Sequence, residues 1–291
     1  LDDLPANIKN NINIIAGDIR DNELIIEITK NIDVVFHLAA LISIPFSYSA
    51  PRSYLNTNTL GMLNILEATK KNQINRLIST STSEVYGSAL ASSINEEHKV
   101  QAQSPYSASK VAADYLLESF VKSFNIPAVI LRPFNTYGPR QSEKAVIASI
   151  IRQVVDDNVS DIRVGNTSTK RDFNYVDDTV KAFIALSKAE ESKIIFGSVY
   201  NSGTGKSVSI DTILKKIIKI SNSNKKVIIE NKRFRPENSE VNHLIACSLK
   251  LKELTGWQSS IDLDKGLKST IEWWRNRKEK NKIRAEINYS I

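Results

Sequence analysis

Tyr106 and Lys110 stand four residues apart in Tyr106-Ser107-Ala108-Ser109-Lys110, directly after Pro105. At that spacing on a helix both side chains share one face, with Cβ atoms about 5–6 Å apart. An ammonium beside a phenol favours the phenolate and lowers its pKa from about 10 toward the range of a general base. Upstream, the hydroxyl run Ser79-Thr80-Ser81-Thr82-Ser83 leads into Glu84-Val85-Tyr86-Gly87. Glu84 has two readings. It is part of a helix cap, since capping boxes use this chemistry, or it is an acid/base held at the end of a strand. Pro105 suits a first helical turn, and in this setting Tyr106 and Lys110 are expected to form a proton-transfer pair.

Other segments carry binding chemistry. Gly17-Asp18-Ile19-Arg20-Asp21 and Phe36-His37-Leu38-Ala39-Ala40 both close apolar runs. In an open α/β sheet, nucleotides bind at the carboxyl ends of such strands. Asp18 can accept from an adenine amino group or cap a helix, and Ala39 and Ala40 permit close backbone approach. In Arg132-Pro133-Phe134-Asn135-Thr136-Tyr137-Gly138-Pro139-Arg140, Asn135 can donate to a phosphate or hydroxyl. Arg171 and the arginines of Arg233-Phe234-Arg235-Pro236 offer guanidinium forks that suit a diphosphate.

Asn201-Ser202-Gly203-Thr204-Gly205-Lys206-Ser207 imitates a P-loop, but that pattern needs a glycine where Tyr200 stands. It reads instead as a strand-to-helix turn. His37, His98 and His243 are far apart and lack cysteine partners, so no metal site is expected.

The elements that must position these residues alternate. Short apolar stretches at 12–16, 33–37, 76–79 and 128–131 read as buried parallel strands. Helical patterns at 21–30, 51–71 and 104–124 lie between them. The rhythm predicts an α/β fold, a doubly wound parallel sheet. After about residue 140 it loosens, with helices expected at 145–156, 176–188, 210–221 and 263–277. The expected division is a main domain over residues 1–140, to which 172–201 return, and a smaller mixed substrate lobe from 141–171 and 202–291.

Bulk properties narrow the function. The 291 residues, 41% hydrophobic and 24% charged, suit a soluble globular protein. No apolar run approaches the roughly 18–20 residues that span a bilayer, and no signal peptide is visible. Cys247 is the only cysteine, which rules out an intrachain disulfide and points to a reducing cytoplasm. The net charge of +7 comes from lysines scattered among acids, and the cluster Arg275 to Lys282 reads as a solvated face rather than a nucleic-acid surface. An anionic small molecule remains compatible with that charge.

Together and in this order, these segments resemble the extended short-chain dehydrogenase/reductase family, the NAD-dependent nucleotide-sugar epimerases and dehydratases. The resemblance runs from Gly17 to Trp274. "STSEVYG", "PYSASK" and "FNTYGPRQ" look most like the sugar-nucleotide 4,6-dehydratases, and "HLAALISIPFSY" is similar to the branch acting on nucleotide-linked N-acetylhexosamines of the legionaminic-acid type.

The resemblance implies a Rossmann-like domain, NAD as cofactor, a nucleotide-sugar substrate and a homodimer built on helices 51–71 and 104–124. It implies that Tyr106 takes the proton from the sugar's 4-hydroxyl while hydride passes to NAD, and that Lys110 steers Tyr106 and holds the nicotinamide ribose. Glu84 would remove the proton at carbon 5, and Thr82 would bond near the 4-hydroxyl. Ser83 stands where glucose-type enzymes carry an aspartate, so Glu84 is expected to protonate the leaving water as well. The implied cofactor set is Asp18, Ile19, Leu38, Ala39, Ala40, Thr57, Ser81, Tyr106, Lys110 and Thr136. The implied substrate set is Thr82, Asn135, Lys144, Arg171, Asn201 and Arg235.

Two departures stand out. Cys247 occupies a position where relatives carry aspartate. The chain also opens on Leu1, and no G-x-x-G-x-x-G turn occurs in it, so the first βαβ segment of the family is expected to be missing. On that reading this chain binds NAD poorly, and one extended N-terminally by roughly 60 residues, about two βα units, binds it. Competing functions are a UDP-glucuronate decarboxylase, a 4-epimerase, and a non-catalytic sugar-nucleotide-binding fragment. The decarboxylases resemble "YDEGKR" after the catalytic tyrosine, which this chain lacks, and epimerase chemistry needs no carboxylate at position 84.

Overall fold

The structure, a computed structural model, describes residues 4–89, 91–234, 243–280 and 283. Its first half runs α1 (Ala6–Lys9), α2 (Asn22–Ile28), β1 (Val34–His37), α3 (Ile44–Ser49), α4 (Pro51–Tyr54), α5 (Gly61–Lys71), β2 (Arg76–Thr80), α6 (Pro105–Phe124), β3 (Ala128–Pro133) and β4 (Asn135–Tyr137). There follow α7 (Val146–Val155), β5 (Asp161–Val164), β6 (Lys170–Arg171), β7 (Phe173–Tyr175), α8 (Val176–Ser187), β8 (Val199–Ser202), β9 (Val208–Ser209) and α9 (Ile210–Ser221). The last elements are β10 (Lys226–Ile229), β11 (His243–Leu244), α10 (Leu249–Thr255) and α11 (Leu263–Glu279).

Among the described residues, the main sheet has strand order β1-β2-β3-β8, every pair parallel. Both its faces are covered, as a parallel sheet requires. On one side Leu77, Ala128 and Ile130 pack with Ile65 and Leu66 of α5 and with Ala113 and Leu117 of α6. On the other, Ile78, Val129 and Leu131 meet Ala182, Phe183 and Leu186 of α8. Leu66, Leu77, Ile78 and Leu117 are fully buried, each contributing about 1.5–3 kcal/mol. The register sets Ser79 beside both His37 and Ile130. Residues after the carboxyl ends of β1 and β2 therefore emerge at one edge.

A separate core joins α7, α9 and α11. Ile210, Ile213, Leu214 and Ile217 recur at helical spacing and meet Ile147, Ile151, Leu267 and Trp274. Leu251 of α10 and Trp257, from the span expected in the second lobe, pack into the core on the main sheet.

Two local expectations fail. Residues 12–16 form no strand, and Ile12, Ile14 and Ile15 are exposed. β-branched composition favours a pleated, half-buried surface but cannot substitute for a partner strand's ladder. The helix expected over 51–71 is interrupted by a π-helical stretch, Leu55–Leu60. Such wide turns displace side chains from the regular helical rows, and here Asn58 is buried.

Asp178 pins the segment between α10 and α11. Its buried carboxylate accepts from Ser260 N (2.7 Å), Ile261 N (2.8 Å), Ser260 Oγ (2.8 Å) and Lys181 Nζ (3.2 Å). Burial pushes its pKa up, but the bonds from Ile261, Ser260 and Lys181 outweigh that and hold it below the ordinary aspartate value. A folded pKa below the unfolded one gives stabilisation that is present above about pH 3.9 and is lost as pH falls through the folded value. Asp178→Asn is expected to cost about 2–3 kcal/mol at pH 7. It should also weaken the acid-side decline in stability, read from urea midpoints across a pH series.

Candidate active site

Helix α6 begins with a capping box: Ser104 Oγ accepts from Ser107 N, and Ser107 Oγ accepts from Ser104 N, both at 3.1 Å. With Pro105 in the first turn, the helix start is fixed. Tyr106 and Lys110 follow one turn apart and are both buried, at 7% and 3% exposure. Tyr106 packs edge-on to Tyr54, with ring centroids 6.1 Å apart.

The electrostatics correct one expectation. Tyr106 is pushed above the ordinary phenol value, not lowered. Burial is the largest cause; the Thr82 side chain, hydrogen-bonded to Tyr106, pulls the other way, and the negative charges of Glu84 and Asp114 add to the rise. Lys110 Nζ donates to the Thr80 carbonyl at 2.5 Å rather than to Tyr106, and burial lowers its own pKa against the pull of Asp114. Spacing alone placed the pair correctly but could not register desolvation.

Glu84 sits half-buried on a tight 3₁₀ turn, Ser83–Tyr86. Thr82 supplies the cap of this turn, its Oγ1 accepting from Glu84 N at 3.2 Å. Ser83 is buried in the same turn. Below it, Tyr86 donates to Asn201 Oδ1 at 2.8 Å and lies under the Arg132 guanidinium, 4.9 Å from the ring centroid. Gly87 closes the turn at φ +64°, where a Cβ would come within 2.4 Å of Gln101 O. That position is closed to other residues.

The loop after β1 is stitched to α6 by Asn58. Its Oδ1 accepts from Leu41 N (2.8 Å), and its Nδ2 donates to Leu41 O (3.0 Å) and Ser109 Oγ (2.9 Å). Sequence reasoning missed Asn58, Asp114 and Arg132. The only signals were a polar residue inside an apolar helix and an aspartate four residues beyond Lys110.

Thr82, Glu84, Tyr106 and Lys110 thus gather at the carboxyl edge of β2. His37 ends the neighbouring strand there, buried and held neutral. Burial first, then the Lys110 charge, lower its pKa to about 3.

The remaining candidates scatter. Leu38 and Ala39 are exposed, and Ala40 and Thr57 are partly so. Ile19 accepts from Asn64 through its carbonyl. Asp18 is exposed and gripped by Arg20 through Nε (2.9 Å) and Nη2 (2.6 Å), which hold its pKa at about 2; Asp21, not Asp18, caps α2.

Ser81, expected at the cofactor, donates its hydroxyl to Asp114 Oδ2 at 2.7 Å. Asn201, expected at the substrate, is fully buried, its Oδ1 accepting from Tyr86 and its Nδ2 donating to Ile94 O. Thr136 Oγ1 lies 3.0 Å from Thr179 Oγ1. Asn135 Oδ1 is buried without a hydrogen-bond partner. Lys144 is exposed, whereas Arg171 is buried and donates to Lys170 O. Arg233 pairs with Glu230 at 2.6 Å, and Arg235 lies outside the described residues.

The P-loop imitation also has a physical account. Thr204 N, Thr204 Oγ1, Gly205 N and Ala246 N all donate to the Asp172 carboxylate, at 2.9, 2.6, 2.9 and 3.1 Å. The glycine-rich turn is an anion nest whose anion is internal, and it leads from β8 through β9 into α9. At Cys247 the backbone N donates to Ile94 O at 2.8 Å. Among the described residues no group of three or more potential metal ligands occurs, and no helix is long and apolar enough to cross a membrane.

Comparison with known proteins bears on this geometry. Residues 1–270 match the profile of the family described as GDP-mannose 4,6 dehydratase. A dTDP-D-glucose 4,6-dehydratase of Dictyostelium discoideum is 31% identical over 92% of this chain and 70% of its own length. A putative UDP-glucose 4-epimerase of Methanocaldococcus jannaschii is 34% identical, over 95% of this chain and 90% of that protein. The crystal structure of a UDP-glucuronic acid 4-epimerase from Bacillus cereus, in complex with UDP-glucuronic acid and NAD, superposes with a TM-score of 0.84. It is 27% identical and covers 92% of this chain and 84% of its own.

Proposed function

The chain belongs to the GDP-mannose 4,6 dehydratase family, and from that premise we propose that it removes water from a nucleotide-activated hexose, yielding a 4-keto-6-deoxy sugar nucleotide with NAD as cofactor. One observation supports the reading beyond the family: Glu84 stands on a tight 3₁₀ turn after β2, and its negative charge contributes to the raised Tyr106 pKa. An enzyme that only oxidised and reduced carbon 4 would need Tyr106 but no carboxylate there.

The residues present fit the redox end of a dinucleotide. Leu38 and Ala39 lie exposed at the carboxyl end of β1, and the Thr80 hydroxyl at the end of β2 is buried without a partner. Tyr106 and Lys110 would hold that end, and Thr57 of the π-helical stretch is assigned to the cofactor with them. When bound, NAD supplies the acceptor for the hydride leaving carbon 4 and returns it to carbon 6.

Everything else falls to the chain. Tyr106, having first given up its own proton, takes the proton of the 4-hydroxyl as a phenolate, the form that burial disfavours and that the neighbouring Lys110 cation would favour, with Thr82 as its hydrogen-bonding neighbour. The resulting ketone acidifies the hydrogen at carbon 5, and Glu84 removes that proton. Glu84 then hands it to the departing 6-hydroxyl, which leaves as water. Carbon 5 finally takes up one proton while Tyr106 releases the one it took, so one water is the only net loss. Asn135, Lys144 and Arg171 are assigned to the substrate's phosphates and sugar, and Asp18, Ile19, Ala40 and Thr136 to the cofactor.

The test is to incubate the protein and NAD with UDP-, GDP- and dTDP-hexoses and follow product mass. Loss of one water supports dehydration. Loss of carbon dioxide from a hexuronate, or an unchanged mass with inverted carbon 4, would replace it by decarboxylation or epimerisation. The same reading places the protein in the cytoplasm, where a lone cysteine stays reduced. It also makes the protein a homodimer through α5 and α6, whose neighbourhood exposes Leu60, Tyr115 and Phe124. Light scattering is expected to give twice the 32.6 kDa chain mass.

A further inference from the structure

We propose that Asp114 is a positioning residue whose buried carboxylate keeps Lys110 cationic and, through Arg132, anchors the turn that carries Glu84. Its place in catalysis rests on the function proposed above; the charge relation itself does not.

The geometry begins on α6. Asp114 lies one helical turn beyond Lys110, on the same face, and both are buried. Asp114 Oδ2 collects Ser81 Oγ at 2.7 Å, Arg132 Nη2 at 2.9 Å and Arg132 Nε at 3.1 Å. One carboxylate oxygen thereby ties together the end of β2, the end of β3 and the middle of α6. The Arg132 guanidinium in turn covers the Tyr86 ring, two residues from Glu84.

The groups facing Lys110 decide what Asp114 does. From β1 comes His37, neutral in its buried place. From β2 comes the Thr80 carbonyl, which accepts from the ammonium. On α6 itself stand Tyr106, an uncharged phenol, and Asp114. Arg132 on β3 brings a second cation, and α4 contributes Tyr54, whose phenol burial also keeps uncharged. Glu84, on the turn after β2, is half-buried and belongs to the reaction.

Two buried cations therefore share one buried carboxylate. A guanidinium does not give up its proton in proteins, whereas a buried ammonium does so readily. If the Asp114 charge is removed, Lys110 is the group that must neutralise. The directions agree: burial lowers the Lys110 pKa, and Asp114 opposes that fall.

The test follows Lys110 itself by NMR titration of the full chain carrying ¹³Cε-labelled lysine, with its signal assigned by loss in Lys110→Arg. Asp114→Asn is expected to lower the Lys110 midpoint by one pH unit or more, on the scale of a lost close counter-charge. Asp114→Glu should restore most of it. The double variant D114L/R132M replaces the buried pair with apolar side chains and should recover the urea midpoint relative to Asp114→Asn. Its second cation is gone too, so its Lys110 midpoint should lie between those of Asp114→Asn and the parent.

A Lys110 midpoint unchanged in Asp114→Asn overturns the assignment, as does a midpoint in every variant that merely tracks stability. If the midpoints move as expected while the parent dehydrates no nucleotide hexose, the functional reading fails and the Asp114 assignment stands. Where the parent is active, the alkaline limb of its kcat profile should move to lower pH in Asp114→Asn.

Discussion

Glu84→Gln is expected to lower turnover by about 10²- to 10⁴-fold, the usual contribution of a positioned acid/base, while sugar-nucleotide affinity stays nearly constant. The amide keeps the shape of the side chain and the bond from its backbone N–H to Thr82. What it loses is the capacity to take a proton from carbon 5 and return one to the leaving hydroxyl. The other carboxylate whose charge reaches Tyr106 is Asp114, and it is buried and bonded to Arg132 and Ser81, so it cannot substitute. Because Tyr106 is untouched, deuterium exchange at carbon 5 should vanish while oxidation at carbon 4 persists. Near-normal water loss by the variant, measured by mass spectrometry of the product, would remove Glu84 from the mechanism.

Asp172→Ala is expected to be the largest single loss of stability, roughly 3–6 kcal/mol. Three backbone N–H groups and one hydroxyl would lose their acceptor in a buried place, and each unsatisfied group costs about 1–3 kcal/mol. The carboxylate is wholly inaccessible, and the groups it holds come from the turn after β8 and from Ala246 beside β11. Urea unfolding should show the midpoint fall. Asp172→Asn should recover only part of it, since an amide nitrogen would face donors. A midpoint within the error of the parent would show that water replaces the carboxylate without cost.

The turn that Asp172 fills shows what a sequence can and cannot say. Tyr200 in place of a glycine was enough to reject a phosphate site, but nothing local indicated which residue occupies the nest. Asp172 lies 32 residues from Thr204, and only the fold brings its place between β6 and β7 up to the turn that follows β8. Ser81 and Asn201 teach the same lesson from the opposite direction. Both carry polar groups at strand ends, where ligand contacts are common, and both turn inward to Asp114 and Tyr86. A buried polar atom takes the nearest partner that satisfies it, and that partner is set by packing.

By itself, the sequence determined the alternation of buried strands and amphipathic helices, the capped start of α6, and the family to which "STSEVYG" and "PYSASK" assign the chain. Those are properties of local spacing, propensity and turn chemistry, and they survive in any environment that lets the chain collapse. It also placed Tyr106, Lys110, Thr82 and Glu84 in the same region. Tertiary structure alone decided their electrostatic state. Burial raises Tyr106 and lowers Lys110 and His37, which a reading of Y-x-x-x-K as an ammonium beside a phenol gets backwards. It also withheld a ladder from the β-branched residues 12–16 and opened a π-helical turn to bring Asn58 inside. Desolvation and strand pairing depend on which distant atoms arrive, and no spacing along the chain encodes that arrival.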